Sequence, residues 1–194
     1  MHGKFYPIEI TFFDKREMKQ IANFFIKHTD DPEQLPEYKI LNHNYDWEEY
    51  KIKAVKPEDI KQCLRFMLRG CVVGSYGIDN DFNNFPLLKE IVPSSARVCL
   101  KERYAELRGE YCHDLKKKKW LSLPVALQQE GIKFDKSKWH RSLYDAIIAA
   151  KLWDAIEKLE MQQKGNILIM QNQKSNQENV EIVSKNTSIE AIPF

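Results

Sequence analysis

Two hydrophobic periods alternate along the chain, and the changes between them mark its elements. Residues 5–13, Phe-Tyr-Pro-Ile-Glu-Ile-Thr-Phe-Phe, are dense in aromatic and β-branched types and predict a strand. Residues 20–28 predict a second strand, with the polar residues 14–19 as the turn of a hairpin. Residues 29–56, with Asp30-Asp31-Pro32 and Leu35-Pro36, read as loop. A helix starts at Pro57, because proline suits a first turn and Glu58 and Asp59 suit the positive end of the dipole. Ile60, Cys63, Leu64, Met67 and Leu68 fall on one helical stripe, and Gly70 ends it.

The run Cys71-Val72-Val73-Gly74 suits a short strand buried on both faces. A helix over 83–91 and a strand over 96–101 follow, then a polar connection, then a helix capped by Ser122 and stopped by Gly131. The clearest helix covers about 141–163, where Leu143, Ala146, Ile147, Ala150, Trp153 (or Leu152), Ile156 and Leu159 recur at i+3 and i+4. Residues 164–194 turn rich in Asn, Gln, Ser and Lys and read as a mostly disordered tail; the alternative is a strand at 166–170 or a partner-binding peptide. A hairpin, alternating helices and strands, and a closing helix predict an α/β fold, a mixed sheet flanked by helices. The domain spans 1–163 and the tail 164–194.

Composition adds limits. The chain has 194 residues, 30 Lys plus Arg against 28 Asp plus Glu, and a net charge of +2, so only local clustering can point to an anionic partner. No apolar run reaches membrane-span length and no apolar leader stands at the start, which reads as an intracellular protein, cytoplasmic or nuclear. Cys63, Cys71 and Cys99 are expected as reduced core residues. Cys112-His113-Asp114 lacks a second ligand pair at zinc spacing.

Three places carry candidate chemistry. Strand residues Val72-Val73-Gly74 run into a turn and then to Asp81 at a helix start, where α/β sheets place ligand groups; a helix-capping role is the alternative. His140-Arg141-Ser142-Leu143-Tyr144-Asp145 puts a histidine just before the last helix and an acid one turn inside it, beside the apolar stripe. Glu9 lies between Ile8 and Ile10, so alternation turns it to the opposite face, toward solvent or a site. Lys116, Lys117, Lys118 and Lys119 followed by Trp120 could track a phosphate backbone and stack a base, or form a solvated loop that Trp120 anchors to the core. Tyr45, Trp47 and Tyr50, near Asn42 and Asn44, fit core packing as well as a ligand.

Together these segments resemble the DEDDh-type 3′–5′ exonuclease family. Val73-Gly74 followed by Asn80-Asp81-Phe82 is similar to its second motif. Ser122-Leu123-Pro124-Val125-Ala126-Leu127 with Gly131-Ile132, then His140-Arg141-Ser142-Leu143-Tyr144-Asp145-Ala146, resemble its third motif and the approach to it. The order and spacing match over roughly residues 8–160. The family's first motif, Asp-x-Glu, does not occur before Asp81. Either Tyr6-Pro7-Ile8-Glu9 stands there with Pro7 in place of Asp, or Ile8-Glu9-Ile10 resembles the second strand and the first is missing; the second alignment is preferred.

The resemblance implies a ribonuclease-H-like fold and two-metal phosphodiester hydrolysis on single-stranded DNA or RNA. It implies Mg²⁺ or Mn²⁺ held by Asp81 and Asp145, with Glu9 as a further ligand and His140 as general base. Such ions need three or four carboxylates, so this set implies activity weakened or lost. The alternative is an inactive exonuclease-like module that binds nucleic acid, or a protein partner through the 164–194 tail. An α/β scaffold of unrelated type would keep His140 and Asp145 away from Asp81.

Overall fold

The computed structural model describes residues 7–41, 45–114, 116–139 and 141–186, with side chains to residue 169. It is a mixed α/β structure with small sheets. Strands β1 (Glu9–Asp14) and β2 (Lys19–Phe25) form the expected antiparallel hairpin. Its turn is closed by Asp14, whose Oδ1 accepts from the backbone N–H of Arg16 at 2.7 Å and Glu17 at 3.1 Å. Those bonds, Glu17's first, hold the Asp14 carboxyl below its ordinary pKa. Phe5 and Tyr6 of the expected strand lie outside the described residues.

The stretch read as loop over 29–56 contains two short helices, α1 (Pro36–Leu41) and α2 (Trp47–Lys53). Asp46 caps α2, its carboxylate accepting from Glu49 N–H at 2.8 Å. This helix buries Trp47 and Tyr50, and the Tyr50 hydroxyl donates to the Ile26 carbonyl at 2.8 Å. The bury-and-cap arrangement settles the role of these aromatics: with Ile8, Phe25, Leu35 and Tyr45 they form a core cluster. Asn42 and Asn44 lie outside the described residues.

Helix α3 (Pro57–Met67) starts at the expected proline. Its stripe is narrower than expected: Ile60 and Leu64 are buried, but Cys63 is exposed. Cys71 is exposed too and Cys99 half-buried; all are free thiols, so the expectation of core cysteines fails for Cys63 and Cys71. Both stand where the chain meets solvent, Cys63 on the outer side of its helix and Cys71 in the loop after Gly70.

β3 is only Val73–Ser75, and Cys71 and Val72 are exposed, which corrects the strand buried on both faces. The single helix expected over 83–91 is two, α4 (Ile78–Asn84) and α5 (Leu87–Ile91), because Pro86 cannot continue the first. β4 (Arg97–Cys99) pairs with β3 in parallel, Val73 opposite Arg97 and Ser75 opposite Cys99. Next come α6 (Leu100–Arg108), an antiparallel pair β5 (Tyr111–Cys112) and β6 (Lys117–Lys118), and α7 (Leu123–Gln129). α7 is closed by Gly131, whose φ of +66° favours glycine. Helix α8 is assigned over Ser142–Asn186.

The chain divides into two compact units, residues 1–156 and 157–194. Where the sequence reads as a disordered tail from 164, the backbone is helical to Asn186. In that second unit Met161, Ile167, Leu168 and Ile169 are exposed. Among the described residues no helix is long and apolar enough to cross a membrane.

Within the first unit the main core joins Phe12 and Ile26 of the hairpin region to Ile60, Leu64, Ile78, Phe82, Phe85, Leu88 and Val92. Ile10 and Phe24 on the hairpin, and Val73 and Cys99 on the parallel pair, pack against it. Side chains alternate faces along a strand, so Thr11 and Gly74 point the other way. Both meet α8: Thr11 Oγ1 lies 2.6 Å from Ser142 Oγ, and a Cβ on Gly74 would fall 2.4 Å from Trp153 Cζ3. The two ladders therefore lie between the same pair of layers, the α3–α5 core on one face and α8 on the other.

Candidate functional site

Glu9 sits in a buried polar knot. Its side chain is 8% exposed, and Asn23 Nδ2 donates to Oε1 at 3.0 Å. The Thr11 hydroxyl donates to Asn23 Oδ1 at 2.7 Å, and Ser142 at the start of α8 closes the network. The sequence signal for this knot was available, since Thr11 shares a strand face with Glu9 and register places Asn23 opposite Thr11. Among the described residues Glu9 Oε2 makes no hydrogen bond; Arg141 Nε stands 4.0 Å from it, an ion pair with a separation too long for a hydrogen bond. The Arg141 guanidinium lies 5.6 Å from the Tyr45 ring centroid. The Tyr45 hydroxyl is buried without a hydrogen-bond partner among the described residues, and its pKa is driven up by burial and then by the Glu9 charge. Glu9 thus ties β1 and β2 to the start of α8.

Asp81 lies elsewhere, in the first turn of α4. Its residue is exposed on one side, yet burial of the carboxyl raises its pKa, offset in part by the Ser75 hydroxyl at the end of β3. That hydroxyl forms no hydrogen bond of good geometry and is itself buried, so its approach to Asp81 is loose. With solvent on one side of Asp81, the rise carries a direction rather than a large energy.

Asp145 is half-buried, one turn inside α8, its N–H donating to the Arg141 carbonyl at 3.0 Å. His140, expected as the general base, lies outside the described residues. Ser75 belongs to the β3 face turned to the α3–α5 core, and α8 covers the other face. Asp81 therefore meets Ser75, its side-chain partner among the described residues, on the side of the strand layer away from α8.

A divalent ion needs several oxygens aimed at one point. Among the described residues no group of three or more His, Cys, Asp or Glu is placed to hold a metal ion. Glu9 spends one oxygen on Asn23, and Asp81 faces Ser75. The described carboxylates do not fit the two-metal site that the resemblance implies.

The basic segment is arranged differently. Trp120 is 44% exposed, so it does not anchor its loop in the core. The Lys101 and Lys117 ammonium groups lie 4.0 and 4.1 Å from its ring centroid. Lys118 Nζ instead donates to the Glu106 carbonyl, which ties the β5–β6 ladder to α6. Lys116 takes a φ of +50° at the turn of that ladder, and Lys119 N–H bonds the Glu110 carbonyl at 2.7 Å. Lys101 was absent from the sequence reading, because it arrives from α6 and no local pattern joins it to Trp120.

The chain matches no protein-family model, no curated protein and no solved structure.

Proposed function

We propose that this chain is an exonuclease-like module, of ribonuclease-H-like type, that binds single-stranded nucleic acid and whose two-metal hydrolysis is weakened or lost. The observation that carries the reading is Trp120, an exposed ring outside the core with two ammonium groups close to it. Phosphates supply the anions that such a pair attracts, and a base can stack on an indole once one ammonium moves to a phosphate. The order of strands and helices supports the exonuclease-like part, and the lack of a metal-holding group among the described residues supports weakened Mg²⁺ or Mn²⁺ binding.

Fluorescence anisotropy of the purified chain with a labelled 12-nucleotide single strand tests it. Binding should weaken with salt, and replacing Lys101 and Lys117 together by Ala should flatten the log–log salt slope by roughly 1.4, about 0.7 per lost phosphate contact. Affinity unchanged in that double variant removes the patch from the account. If Mn²⁺ shortens the strand from its 3′ end, and Asp81→Ala stops it, the chain is an active hydrolase instead.

A second reading has its own observation. In residues 157–194 the exposed Ile167, Leu168 and Ile169 stand in one helical turn, which suits contact with a protein partner. Replacing all three by Gln should abolish recovery of that partner while leaving oligonucleotide binding intact.

A further inference from the structure

The C-terminal ends of α3 and α5 are each closed by groups close in sequence. After α3, Gly70 takes a φ of +72°, a backbone state that favours glycine, and the Cys71 N–H donates to the Leu68 carbonyl at 3.1 Å. The chain thereby leaves the helix and runs to β3, with Cys71 and Val72 at the surface. The end of α5 is closed by Arg97, whose guanidinium donates to the Val92 carbonyl at 2.6 Å and the Lys89 carbonyl at 3.0 Å. Between these two ends lies an open cavity of about 360 Å³, at the small end of ligand sites.

Its lining is of two kinds. Leu68, Val72, Ile91, Pro93 and Ala96 give an apolar wall, on which Val72 is 58% exposed. Arg65, in the last turn of α3, and Arg69, in the turn that follows, stand beside that wall. The acid of the lining is Glu90, and Lys61 bonds its carboxylate at 2.5 Å, so that charge is already matched. Gly70, Cys71 and Arg97 close the helix ends without the two arginines. Two guanidinium groups beside an apolar wall suit an anion with a hydrocarbon body. The forks take the head in paired hydrogen bonds, and the wall removes the body from water.

We infer that this cavity binds a small organic anion, a carboxylate or phosphate head on a short hydrocarbon body, with Arg65 and Arg69 on the head and Val72, Ile91 and Ala96 against the body. The cavity shares no residue with Trp120 and its lysines, so the inference goes beyond the nucleic-acid reading and does not rest on it.

Cys71 lines the cavity and Cys63 does not, and both are exposed thiols, so the pair reports occupancy from within the chain. The full chain is alkylated briefly with iodoacetamide in the presence of hexanoate or hexyl phosphate, and each cysteine is quantified by peptide mass spectrometry. A bound ligand slows alkylation by the factor 1 + [L]/Kd, so at about five times Kd the Cys71 rate should fall roughly sixfold while Cys63 keeps its rate. The head that acts at the lower concentration identifies carboxylate or phosphate. Hexanol and inorganic phosphate, each with half of the chemistry, should leave both thiols unchanged. Replacing Arg65 and Arg69 together by Gln should raise the concentration needed about tenfold or more. Both arginines are exposed, so the urea midpoint should stay where it is. Val72→Glu sets a negative charge in the cavity and should act likewise without touching α3. No slowing at Cys71 by either anion, equal slowing at both cysteines, or equal slowing by hexanol or inorganic phosphate overturns the inference. So does slowing undiminished in both variants. Protection of Cys71 by the 12-nucleotide strand would assign the arginines to a nucleic-acid surface and likewise overturn it.

Discussion

The neighbourhoods of Glu9 and Trp120 both gather cations and aromatic rings, but they differ in what is left free. Around Glu9 the groups consume one another. Asn23 takes one carboxylate oxygen, Thr11 takes Asn23, Ser142 takes Thr11, and Tyr45 and Arg141 close the outside. Around Trp120 the two ammonium groups meet, among the described residues, a neutral ring, and the ring is open to water. Charge alone is a poor guide to a site; what matters is whether the charged group already has a partner of opposite sign. By that measure the buried carboxylate is a structural tie, and the lysine pair beside the exposed Trp120 is a surface with capacity to bind.

That contrast can be broken most forcefully at Asn23. Asn23→Ala removes the donor to Glu9 and leaves both carboxylate oxygens buried without a hydrogen bond, so unfolding in urea should show a loss of about 2–3 kcal/mol. A loss within about 0.5 kcal/mol would mean that Glu9 is solvated and available. Trp120→Ala should do the reverse, costing about 1–3 kcal/mol in oligonucleotide affinity while stability stays within about 0.5 kcal/mol. Should Trp120→Ala unfold the protein, the ring is a core residue after all. Gly74→Ala drives a methyl into Trp153 and should cost about 1–3 kcal/mol, with Trp153→Leu in the same chain recovering part of it.

The smallest effect concerns Asp81. Burial raises its folded pKa above the ordinary 3.8, so the native state keeps that proton to higher pH than the unfolded chain. Its contribution to stability is present below the unfolded value and is lost as pH rises through the folded one. The wild-type urea midpoint, measured relative to Asp81→Asn, should therefore fall as the pH rises through and above 3.8. A flat difference would place the Asp81 carboxyl in open water; a rising one would place a cation beside it.

Legibility in the sequence followed how local each feature is. The hairpin was readable because its strands, its polar turn and the Asp14 turn bonds lie within 17 residues, from Glu9 to Phe25. The start of α3 was readable from Pro57 with two acids behind it. α2 was missed although Asp46 with Glu49 three residues on is a helix-start pattern, because seven residues give too little periodicity to outweigh the surrounding polar chain. The cysteines were misplaced because a stripe reading cannot tell the middle of an apolar face from its border. β3 was over-read because Cys71 and Val72 look buried by type, while the ladder holds only three residues. At the candidate site, residue types could suggest metal ligands, but whether acids meet depends on which face of a strand layer each approaches. Lys101 and Trp120 are joined only by tertiary packing, so no spacing rule could pair them.

The most direct test of the central claim is one titration: a 5′-labelled 12-nucleotide single strand with the full chain and Mn²⁺, read for anisotropy and then for length on a denaturing gel. The account predicts salt-sensitive binding that falls in the Lys101/Lys117 double alanine variant, with the strand recovered at full length. A ladder of 3′-shortened products that vanishes in Asp145→Ala, or binding indifferent to both lysines, would contradict it.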